Sequence, residues 1–115
     1  MTRAIYKILS VDQWTLAQSE GEIRGAPIDI EDGFIHLSAR EQVEETAAKH
    51  FAGQDDLVLI EVDEAKLGET LRWEVSRGGA LFPHVYAAIP CSAIIHVWPL
   101  RLSENGQHRF PWTAT

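Results

Sequence analysis

The stretch Leu57-Val58-Leu59-Ile60-Glu61-Val62 constrains the fold more than any other part of this chain. It is nearly continuous in apolar and β-branched side chains, and the turn-forming Gln54-Asp55-Asp56 comes just before it. A run of this kind reads as a strand central in a sheet. Ala4–Leu9 and Ala93–Leu100 read as the first and last strands around it. Leu71–Val75 and Phe82–Ala87 add shorter strand candidates, the second running into Ile89-Pro90-Cys91.

The most secure helix runs from Ala39 to about Phe51. Val43, Ala47, His50 and Phe51 recur at helical spacing. Glu41, Glu44 and Glu45 sit toward its start and Lys49 and His50 at its end, as the helix dipole favours, and Gly53 is a natural stop. Ser38-Ala39-Arg40-Glu41 has the spacing of a capping box, with Ser38 as the cap. A shorter helix carries Trp14, Leu16 and Ala17; Ser10 or Asp12 caps it and Gly21 ends it. Residues 22 to 32 read as an extended connection, with room for one short strand. Asp63 caps a single turn that ends at Gly68. Ser76-Arg77-Gly78-Gly79 reads as the most mobile loop, because two glycines widen its backbone freedom. Six short strand-like runs and two real helices indicate an α+β fold.

The 115 residues suggest one domain, drawn at 1–102, followed by a polar tail at 103–115 that docks through Phe110 and Trp112. The formal net charge of -7 argues against avid nucleic-acid binding. It leaves room for a small anionic ligand held by one or two of Arg24, Arg40, Arg72 and Arg77. Cys91 is the lone cysteine, read as a small core residue in a reducing compartment. No apolar run is long enough to span a membrane, and the first residues lack a signal-peptide pattern, so the cytoplasm is the default expectation. A monomer and a homodimer both fit the four tryptophans.

Three short segments carry the polar groups of interest. In Asp32-Gly33-Phe34-Ile35-His36-Leu37-Ser38, strand alternation assigns Ile35 and Leu37 to the core and turns His36 toward a second layer or a cleft. The competing reading is a histidine satisfied by a backbone carbonyl. In Phe82-Pro83-His84-Val85-Tyr86, alternation lines Phe82, His84 and Tyr86 along one side, a wall suited to a planar ring; an edge strand with corner-filling aromatics is the alternative. In Leu71-Arg72-Trp73-Glu74, Arg72 and Glu74 share a side, as an ordinary surface pair or as ligand contacts. A glutamate there is suited to stabilising a sugar cation. Asp29, Glu31 and Asp32 lack the spacing of a calcium loop and read as a solvated acidic turn. The histidines give no zinc spacing, so no metal is expected. His96 reads as structural. No G-x-G-x-x-G, P-loop or G-x-S-x-G occurs.

Taken together, Ile5-Tyr6-Lys7-Ile8, the His36 segment, Trp73-Glu74 and the His84 segment resemble the small uncharacterised domain family 952. The resemblance spans about Ile5 to Leu100. It implies an ADP-ribosyltransferase-like fold: two small antiparallel or mixed sheets in a split sandwich with one main helix, and a cleft where those enzymes hold NAD. By that resemblance His36 orients a ribose, Phe82 or Tyr86 stacks on nicotinamide, and Glu74 is the catalytic candidate. The ligand-binding set is His36, Ser38, Arg72, Trp73, Phe82, His84 and Tyr86. Alternatives are a non-enzymatic module for a small metabolite or peptide, and transfer of an RNA 2'-phosphate to NAD.

Overall fold

The computed structural model describes residues 4–112. β1 (Ala4–Ser10) leads into α1 (Val11–Glu20), which Ser10 caps by accepting a hydrogen bond from the Gln13 amide and which Gly21 ends. β2 (Glu22–Ile23) and α2 (Pro27–Asp32) follow, then β3 (Ile35–His36) and β4 (Ser38–Ala39) on either side of Leu37. α3 (Arg40–His50) precedes β5 (Leu57–Asp63), β6 (Leu71–Val75), β7 (Leu81–Val85), β8 (Ile89–Pro90) and β9 (Ile94–Leu100).

These strands make a small α+β domain with three antiparallel sheets, where two had been expected. The largest has the order β4-β1-β5-β9, so the apolar run is an interior strand. β3-β7-β6 forms a second sheet, and β2 with β8 a separate ribbon. The run at β5 is continuous because both its faces are covered. Val58, Ile60 and Val62 pack with Ile5, Leu9, Ile35 and Val85. Leu57 and Leu59 face the other way, into a core of Tyr6, Ile8, Val43, Leu100 and Phe110. Phe110 is buried there and Trp112 packs beside it, its ring edge-on to Tyr6, beneath the Arg40 guanidinium and donating to Glu44. Among the described residues no helix is long and apolar enough to cross a membrane.

Two local readings need correction. Residues 22 to 32 are not an extended connection. Pro27 occupies the first helical position of α2, where its missing N–H costs nothing and its fixed φ suits the helix. Ser38 is not the helix cap. It stays in β4 opposite Tyr6, and its hydroxyl pairs with that of Thr46 at 2.9 Å. The helix begins one residue later, with the Gln42 side chain accepting from the Ala39 amide.

The polypeptide changes sheets at Leu37. Ile35 and His36 pair with Val85 and His84 in the second sheet, whereas Ser38 and Ala39 pair with Tyr6 and Ile5 in the first. The two sheets part at this point, and the gap between them positions the polar groups described next.

Candidate functional site

Lys7 lies in the middle of a buried strand and needs a counter-charge. Asp29 of α2 supplies it, with Nζ to Oδ2 at 2.8 Å; the same ammonium donates to the His36 carbonyl at 2.9 Å. Asp29 is 1% exposed. Its carboxylate accepts from Lys7, from the amides of Ala26 and His36, and contacts His36 Nδ1. It is therefore no part of a solvated acidic turn. Burial pushes the Asp29 carboxyl toward a higher pKa. The Lys7 charge and the hydrogen bonds from Lys7 and His36 outweigh burial and hold it below its ordinary range. At Lys7 the balance is opposite: burial dominates the attraction of Asp29, and the amine falls below its usual value. Gly25 makes this packing possible. Its φ is 112°, and a Cβ there would lie 2.8 Å from that of Asp29.

His36 presents its other nitrogen, Nε2, to Asp32 at 3.0 Å. Its cross-strand partner His84 lies with ring centroids 5.6 Å away, edge to face. His84 is buried and contacts Glu74 Oε1 through Nδ1 at 2.8 Å. The Tyr86 hydroxyl donates to that same oxygen at 2.7 Å. These bonds, from Tyr86 first and His84 second, hold the Glu74 carboxyl below its usual pKa, and the bond to Glu74 raises that of Tyr86. Phe34 stacks on His84 at 4.2 Å and also meets His36 and Tyr86. Arg72, across the strand pair from His84, lies over the Tyr86 ring.

A cavity of about 620 Å³ opens beside this cluster. His36, Ser38, Phe82 and His84 line it, along with Lys7 and Asp29. Glu74, Arg72 and Tyr86 do not. Glu74 bonds His84, and Tyr86 stands exposed beyond the end of β7. Trp73 faces away from this group, packing against the main core. The sequence reading missed Lys7 and Asp29; the signal was a lysine inside an otherwise apolar strand. Two of the other candidate arginines are engaged elsewhere: Arg24 with Glu22 and Glu20, and Arg40 with Trp112. The Arg77 side chain lies outside the described residues. His96 pairs with Glu61 and stacks on Trp98, and Cys91 is half-buried against the Ala17 carbonyl.

Residues 8–97 match the family described as Protein of unknown function (DUF952). The chain belongs to this family. The match takes in Asp29, His36, Glu74, His84 and Tyr86. The chain is also similar to protein CC0527 from Caulobacter crescentus. That crystal structure is 49% identical, with 92% of this chain and 93% of that chain covered and a TM-score of 0.89. A double-mutant crystal structure of the same protein is 48% identical over the same shares, with a TM-score of 0.88. Its solution NMR structure is 50% identical over 90% of each chain, with a TM-score of 0.82. No curated protein matches the chain.

Proposed function

We propose that the cleft between the two sheets binds a small nucleotide or NAD-like ligand, with His36 and His84 as its polar contacts. The observation that carries this reading is the histidine pair itself. Two imidazoles on paired strands line one cavity, each with Nδ1 against a carboxylate. Fixing Nδ1 leaves Nε2 of His84 for a ligand hydroxyl. Nε2 of His36 meets only the exposed Asp32, a surface contact of small worth that a ribose hydroxyl can replace. Phe82 offers the cavity an aromatic face. The volume lies in the range of small-molecule sites.

The parting of the sheets at Leu37 supports the finer reading of an ADP-ribosyltransferase-like split sandwich. The cavity residues fit the nucleoside part of NAD better than its pyrophosphate, because Lys7 is committed to Asp29. Arg72, opposite His84 in the register of β6 and β7, is the cation we assign to the phosphates. Glu74 shares its Oε1 between His84 and Tyr86 and does not line the cavity, an arrangement that favours ligand binding over sugar transfer. Calorimetry with NAD, ADP-ribose and adenosine tests the proposal. Saturable binding, weakened about tenfold or more in His84→Ala, is expected. No binding at about 1 mM of any of the three would overturn it. Mass spectrometry of NAD incubations separates transfer from binding alone.

A further inference from the structure

The cavity also borders a strand edge. β1 pairs with β5 from Ala4 to Ser10 on one side, but on the other side it meets β4 only at Ile5 and Tyr6. The chain leaves that track at Leu37. Ser10 lies opposite Leu57, yet its amide donates to the Gln13 side chain at 3.0 Å, so its N–H faces away from β5. In an antiparallel ladder alternate residues direct N–H and C=O to the same side. Tyr6, Ile8 and Ser10 therefore face away from β5 together. Tyr6 meets Ser38 and Ser10 meets Gln13. Among the described residues no strand pairs with Ile8 on this side. Ile8 is 5% exposed and lines the cavity. Buried backbone groups without partners are rare in folded proteins.

We infer that this edge accepts a short extended peptide, antiparallel to β1, whose backbone exchanges two hydrogen bonds with Ile8. The lining of the cavity suits this occupant. The cavity straddles the sheet at its edge, with Val43 and Phe51 on the α3 face and Pro27 and Ile28 on the α2 face. A strand sends alternate side chains to both faces and so reaches both walls. The free stretch, Lys7 to Leu9, matches a core of about three residues, or roughly 10 Å. Apart from histidines, the charged lining residues are Lys7 and Asp29, which neutralise each other. The peptide is therefore uncharged at that core. This inference does not rest on the nucleotide reading, and either can fail alone.

A library of end-capped pentapeptides of uncharged residues, screened against the full chain, tests it. Peptides that bind are remade with an N-methyl group on the amide facing Ile8. Binding that falls about tenfold or more on methylation, and slowed amide exchange at Ile8, are expected. Ile28→Ser, at an exposed wall position, weakens binding without unfolding the chain. Equal affinity for methylated and unmethylated peptides overturns the inference, and so does the absence of any binder at about 1 mM. Self-association that protects Ile8 without added peptide also overturns it, since the occupant would then be a second copy.

Discussion

The two histidine–carboxylate pairs are opposites in exposure. Asp29 is sealed at 1% while the ring of His36 is 34% open; the ring of His84 is 6% open while Glu74 stands at 36%. A sealed carboxylate that satisfies a buried ammonium and two backbone amides belongs to the fold. Removing it leaves a buried ammonium without its counter-charge and two amide donors without their acceptor. A half-open carboxylate that accepts from a buried ring orients the ring, and water can replace it at small cost. The first pair ties β1, α2 and β3 together. The second holds His84 against the cavity.

Substitutions separate these roles. The largest effect is expected for Asp29→Ala, a loss of about 3–5 kcal/mol of stability by urea unfolding, because Lys7 is left buried and unpaired. A loss near zero would mean that Asp29 is dispensable and would erase the contrast. Gly25→Ala forces a side chain into a left-handed backbone and against Asp29, and about 1–3 kcal/mol is expected by the same assay.

Acid should weaken the first pair. The folded-state pKa of Asp29 lies below its ordinary 3.8. Its contribution is therefore complete above the ordinary value and is lost as the pH falls through the lower folded one. Urea midpoints measured down this window should drop more steeply for the wild type than for Asp29→Asn. Parallel profiles would contradict the assignment. The smallest stability change belongs to Glu74→Gln. It should leave the urea midpoint close to wild type while weakening ligand binding through a less constrained His84, and Tyr86→Phe should do the same to a lesser degree. A Glu74→Gln loss as large as that of Asp29→Ala would make the two carboxylates equivalent.

Period and punctuation made much of this fold legible from residues alone. β5, β9, α3 and the cap and stop of α1 follow from apolar runs, helical spacing, Ser10 and Gly21. α2 did not, because six residues hold too few apolar positions to show a period, and the helix depends on Pro27 and on the bonds to Asp29 from Lys7 and the His36 amide. Alternation placed Ile35 and Leu37 in the core and His36 off it. It could not pair Lys7 with Asp29 across 22 residues, since an acidic cluster reads alike whether solvated or buried. Ser38 misled because its spacing to Glu41 overlaps the spacing of Ala39 to Gln42, whose side chain accepts from the Ala39 amide. Pairing of Ser38 with Tyr6 holds it in the strand and starts the helix after Ala39. That Trp73 packs on the core and Glu74 bonds His84 depends on the register of β6 against β7, which local spacing does not encode.

The central claim is that His84, oriented by Glu74, meets a ligand in the cleft. Nitrogen-15 NMR of the imidazole rings during titration with NAD and ADP-ribose tests it most directly. Saturable movement of the His84 Nε2 resonance is expected, larger than the change at Nδ1 and absent when His84 is replaced. Ring resonances of His84 that stay fixed to about 1 mM ligand would contradict it.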